Sequence, residues 1–61
     1  MNHVRYYRES HGMSQRQLAI YAKISHVELN HIESNKRTPN VYIAIRIAKV
    51  LKIPVEGLFV E

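Results

Sequence analysis

Two helix-start signals stand eleven residues apart in the first half of this chain. That spacing leaves room for little except two short helices joined by a tight turn. Ser14-Gln15-Arg16-Gln17 sets a hydroxyl at an N-cap and an amide three residues later, the pattern of a capping box. Met13 before the cap and Leu18 after it supply the apolar staple that fixes the angle of entry. Ser25-His26-Val27-Glu28 repeats the construction, with Ile24 and Leu29 as its staple. The spacing predicts a helix over about 15–22, a turn at Lys23-Ile24, and a second helix over about 26–34.

The flanking segments are helical too. Val4 and Tyr7 sit at helical spacing within 3–11, and Gly12 can supply the left-handed residue that ends a helix. Asn35 tolerates the same conformation and marks the end of the second helix of the pair. Lys36 to Pro39 form a polar loop. Asn40 can then cap a helix over about 41–52, with Val41, Ala44, Ile47, Ala48 and Leu51 along one face. Arg46, Lys49 and Lys52 read as its solvated side, while Tyr42, Ile43, Ile45 and Val50 make it more apolar than one buried face requires. Pro54 suits the first turn of a last helix, about 54–60, burying Val55, Leu58 and Phe59. No stretch alternates with period two. The expectation is an all-α fold, a compact five-helix bundle forming one domain over 1–61.

Composition narrows the function. Hydrophobic residues are 46% of the 61, enough for a core and too many for a disordered tail. A domain of this size buries only about 60% of its unfolded surface, and without cysteine no disulfide can reinforce it. No apolar run approaches the ~20 residues of a membrane span, and the N-terminus is too polar for a secretory signal. A cytoplasmic location is expected. Nine Lys and Arg against five acids give a net charge of +4, which favours a polyanionic partner, nucleic acid first. The four histidines form no His-x-x-x-His pair, so no metal is expected. No phosphate loop, nucleophile motif or carboxylate pair points to an enzyme, a cofactor or a small-molecule substrate.

Two short helices meeting at a tight turn in a basic domain form a DNA-binding candidate. Leu18, Ala19 and Ala22 would pack against Leu29 and Ile32, leaving His26, Val27, Asn30, His31 and Ser34 outward. That face is polar, as a base-reading surface must be, although an ordinary solvated helix face has the same residue types. Val27 can pack on a thymine methyl, His26 can donate to guanine N7 or O6, and Asn30 can pair with an adenine edge. Asn30 is expected nearer the packed side than the others. Lys36, Arg37 and the helix start at Asn40 suit a phosphate clamp, with Ser34 beside them. Glu28 is read as the closing residue of its capping box.

The pattern extends further. Ser14-Gln15-x-x-Leu18-Ala19, Ile24-Ser25-x-x-x-Leu29-Asn30-x-Ile32-Glu33 and Lys36-Arg37-x-Pro39 together resemble the phage repressor and Cro-like (XRE-type) helix-turn-helix family. Ile47-Ala48-x-x-Leu51-x-Ile53 and Leu58-Phe59 look like that family's fourth and fifth helices. The resemblance implies a lambda repressor-like DNA-binding domain that binds double-stranded DNA as a homodimer on a two-fold operator, as a nucleoid-associated transcriptional repressor. It implies base contacts at His26, Val27 and His31, a backbone contact at Gln15, and an ion pair between Arg8 and Glu33. Dimer contacts would come from the fifth helix and the turn before it, at Val55, Gly57 and Leu58. The family often carries glycine where this chain has Lys23 and Asn35; a left-handed Lys23 would cost on the order of 1 kcal/mol, and Asn takes that conformation more cheaply than most residues. The alternative is a protein-interaction module or antitoxin-type partner that keeps the fold without reading DNA. The Arg-free helix over 26–34 and the apolar surface of the fourth helix favour that alternative.

Overall fold

The computed structural model describes residues 2–59 and contains α1 (Val4–Ser10), α2 (Gln15–Ala22), α3 (His26–Glu33), α4 (Val41–Leu51) and α5 (Val55–Leu58). Residues 1, 60 and 61, which the expected domain and the end of the expected last helix include, lie outside the described residues. Apart from an isolated antiparallel bridge between Asn2 and Phe59, no strand pairing occurs among them.

The helix starts differ in how fully their caps form. At α2 the box is complete. Ser14 Oγ accepts the Gln17 N–H at 3.1 Å, and Gln17 Oε1 accepts the Ser14 N–H at 2.9 Å. At α3 only half forms. Ser25 Oγ accepts the Glu28 N–H at 2.9 Å, but the Glu28 carboxylate turns toward Arg37, 3.8 Å away. The closing role expected of Glu28 is therefore not taken up; its carboxylate lies toward the Arg37 cation instead. Asn40 Oδ1 accepts the Ile43 N–H at 2.9 Å and starts α4.

The ends of α1 to α4 share one device. A left-handed residue, Gly12, Lys23, Asn35 or Lys52, reverses the chain after each helix. The next N–H then reaches back to a carbonyl five residues earlier: Met13 to Arg8, Ile24 to Ala19, Lys36 to His31, Ile53 to Ala48, at 2.8–3.2 Å. Met13, Ile24 and Ile53 then pack against the core, the apolar contact that accompanies this turn. The left-handed conformation costs a non-glycine residue about 1 kcal/mol or more, so Lys23 and Lys52 are held there by these bonds and contacts.

Val4, Leu18, Ala22, Leu29, Ile32, Ile47, Leu51 and Leu58 are fully buried. Helix α4 is the hub, packing on α1, α2 and α5, while α3 packs on α2. Three polar ties close the bundle. The His11 ring donates from Nε2 to the Leu51 carbonyl at 2.7 Å, since a carbonyl can only accept. Arg46 Nε donates to the Ala22 carbonyl at 2.7 Å, so Arg46 braces the end of α2 and is not simply solvated. Asn2 Nδ2 donates to the Ile32 carbonyl at 2.8 Å and to Asn35 Oδ1 at 3.0 Å, fixing the segment before α1 beside the end of α3. On α4, Ile43 is buried and Val50 half-buried, whereas Val41, Tyr42 and Ile45 remain exposed, as do Ile20 and Tyr21 on α2.

Candidate nucleic-acid interface

Leu29 and Ile32 anchor α3 in the core and so decide which of its residues face out. His26, Val27, Asn30 and Ser34 are exposed, with Val27 65% accessible despite being apolar. His26, Val27 and Asn30 line a shallow notch on this face. The order expected at the middle of the helix is reversed: Asn30 is exposed, whereas His31 is half-buried. On the α3 wheel Asn30 lies about 100° from Leu29 and His31 about 100° from Ile32. Spacing alone cannot separate two such flanks, and the loop folding back over His31 breaks the tie. The His31 carbonyl accepts the Lys36 N–H at 2.8 Å, the Arg37 N–H at 3.2 Å and Ser34 Oγ at 3.3 Å.

That loop is therefore fixed in its backbone while Lys36 and Arg37 stay exposed. Arg37 lies near Glu28, but at 3.8 Å and 60% side-chain exposure this pair is worth at most about 1 kcal/mol. Asn40 is exposed, with its Oδ1 occupied in capping α4. Ser34 Oγ donates to the Asn30 carbonyl at 2.9 Å.

Behind the exposed face lies a buried polar centre. Arg8 grips the Glu33 carboxylate with two bonds, Nε to Oε2 at 2.7 Å and Nη2 to Oε1 at 3.2 Å, and donates a third, from Nη1 to the Met13 carbonyl, at 2.8 Å. The two side chains are only 10% and 5% exposed. Fork geometry of this kind fixes both direction and distance, so α1 and the end of α3 are held rigidly. Gln15, the first residue of α2, extends the network outward. Its Nε2 donates to Glu33 Oε1 at 3.1 Å, and its Oε1 lies 2.7 Å from His26 Nε2. Gln15, the residue expected at the DNA backbone, thus has its amide oxygen and one amide N–H engaged within the protein. Arg5, which no sequence motif marks, lines a cleft with Arg8, Gln15, Asn30, Glu33 and Ser34. Its only sequence signal is its place one turn before Glu9, with which it pairs at 3.2 Å.

This arrangement, a capped helix crossing the start of a second whose outer face is exposed, matches a known family over nearly its whole length. The helix-turn-helix family model matches residues 4–58. The chain belongs to the XRE-type helix-turn-helix family. A relative in Methanocaldococcus jannaschii, described as an uncharacterized HTH-type transcriptional regulator, is 32% identical over 59 residues, which are 97% of this chain and 89% of the relative. In this helix-turn-helix protein α2 and α3 are the paired helices and α3 is the outward one.

The residues expected at a dimer contact sit differently from one another. Leu58 is fully buried in its own bundle and offers no surface in this packing, whereas Val55 and Gly57 are half-buried. A Cβ at Gly57 would meet Ile53 Cγ2 at 3.1 Å, so a larger residue there requires the Ile53 side chain to give way by a few tenths of an ångström. The end of α5 is further occupied by the N-terminus, with the His3 N–H bonded to the Leu58 carbonyl at 2.8 Å. Among the described residues no cluster of three or more metal-ligating side chains occurs, and no helix is long and apolar enough to cross a membrane.

Proposed function

We propose that this protein is a sequence-specific DNA-binding transcriptional regulator that lays α3 in the major groove. The observation that carries the reading is the outer face of α3. His26, Val27, Asn30 and Ser34 are exposed on a helix whose opposite side is locked to α2, and the exposed cations Lys36 and Arg37 follow directly. A helix presented in this way suits base edges, while the basic loop suits the flanking phosphates. Arg5, Gln15, Ser34 and the start of α4 at Asn40 are further backbone contacts in this reading. The absence of arginine from α3 leaves selectivity to several modest contacts and to DNA shape. A repressor acting as a homodimer on a two-fold operator is the form we infer, with Val55 and Gly57 as the α5 surface available to a second copy. Such a protein works on the nucleoid in the cytoplasm.

One observation favours a second reading, a protein-interaction module or antitoxin-type partner. Ile20, Tyr21, Val41, Tyr42 and Ile45 are all exposed on α2 and α4. Gel shifts with random duplex at a series of salt concentrations discriminate the two. A DNA regulator binds with an affinity that falls steeply as salt rises, because bound phosphates release counterions. An interaction module shows no such binding.

A further inference from the structure

The network behind α3 fixes more than the position of His26; it fixes which of its nitrogens carries the proton. Glu33 is gripped by Arg8 through both carboxylate oxygens and offers only acceptors. The end of the Gln15 amide that meets Glu33 Oε1 at 3.1 Å must therefore be its NH2 group. The carbonyl end then faces His26 Nε2 at 2.7 Å, and a carbonyl can only accept. Nε2 of His26 must be the donor. A neutral imidazole has one N–H, so Nδ1 is left as a bare acceptor, and among the described residues it has no hydrogen-bond partner. His26 is exposed and lines the notch on the outer face of α3 with Val27 and Asn30.

We infer that Gln15 is a specificity-determining positioning residue: by holding His26 in the Nε2–H form it makes neutral His26 a reader of base-edge donors, the N6 amine of adenine or the N4 amine of cytosine. The simplest sequence expectation, donation from His26 to guanine N7 or O6, needs a proton on the free nitrogen, and this network withholds it. The inference rests on the proposal that α3 enters the major groove, where those amines are displayed.

The test has two arms, both at pH 8, well above the ordinary imidazole range of about 6.5. The first uses protein alone. Nitrogen-15 NMR of the imidazole rings reports the tautomer directly. His26 in the wild type is expected as a single Nε2–H species, and in Gln15→Met as a mixture of tautomers, with the melting temperature recorded to show that the variant is folded. His26 found in the Nδ1–H form, or an unchanged tautomer in Gln15→Met, overturns the inference. The second arm measures binding to duplexes selected from a random pool, substituted one base pair at a time. Wild type is expected to prefer adenine or cytosine over guanine at one position by about fivefold or more. Gln15→Met and His26→Ala should each lose that preference while keeping those at other positions. A guanine preference that disappears with His26→Ala overturns the assignment. If the tautomer is as stated but no duplex is bound selectively, the DNA reading itself fails and the base preference fails with it.

Discussion

Replacing Arg8 with Met should bring the domain close to unfolding. The substitution removes three hydrogen bonds, two to Glu33 and one to the Met13 carbonyl, and strands a carboxylate that is only 5% exposed. Breaking a buried pair by removing one partner costs about 3–5 kcal/mol. Gln15 still donates to Glu33 in the variant, so the lower end, about 3 kcal/mol, is expected. A domain of 61 residues has a total stability of only about 3–9 kcal/mol at the usual yield per residue. Urea titration followed by circular dichroism should show the midpoint fall by a third or more. The companion substitution Glu33→Leu should cost a similar amount, because it leaves the Arg8 guanidinium buried and half-paired. The double variant should recover most of the loss, since an apolar pair of similar size restores packing without an unpaired charge. If the two single costs are each below about 1 kcal/mol and simply add in the double variant, the buried bridge does not hold α1 against α3 and the reasoning is wrong.

The other predictions concern helix ends and charge. At Lys23, φ of 60° should make stability follow the order Gly, then Lys, then Val, with Lys23→Gly gaining up to about 1 kcal/mol in thermal unfolding; a loss on going to Gly would contradict the left-handed turn. Ser14→Ala should cost about 1 kcal/mol or more and Ser25→Ala less, because the first cap completes a reciprocal box and the second makes one bond; chemical denaturation of the two variants ranks them directly. Lys36→Ala should weaken binding to all duplexes alike and lower the salt slope by roughly one unit. Glu28→Gln, which frees Arg37 and removes a charge facing phosphate, should instead strengthen binding to every duplex, as measured by fluorescence anisotropy.

The helix pair was legible because its signals are local. Ser14, Gln17, Ser25 and Asn40 act on backbone groups three residues away, and Gly12, Lys23 and Asn35 act where they stand. The same locality explains the miss at Glu28, whose spacing was right for a box but whose carboxylate met Arg37, a residue nine positions on. Long-range polar ties left no pattern to read. Nothing about His11, Arg46 or Asn2 indicates that their partners are the Leu51, Ala22 and Ile32 carbonyls, since a backbone acceptor carries no sequence identity. The Gln15 network was half-visible: family resemblance joined Arg8 to Glu33, but that Gln15 links Glu33 to His26 depends on how α2 crosses α3, which packing sets. At the site, periodicity placed Val27 and Ser34 outward, and it misjudged Asn30 against His31 because both sit on flanks of the buried stripe.

The most direct test of the account is whether the exposed face of α3 reads sequence. A duplex selected from a random pool and a scrambled duplex of equal length should be titrated with wild type and Asn30→Ala at one salt concentration. Asn30 is exposed and makes no side-chain hydrogen bond among the described residues, so its loss leaves the fold intact. Asn30→Ala should lose about 1–3 kcal/mol of binding on the selected duplex and almost none on the scrambled one. Equal affinity of wild type for the two duplexes, or an equal loss on both in the variant, would contradict the claim that α3 is the reading helix.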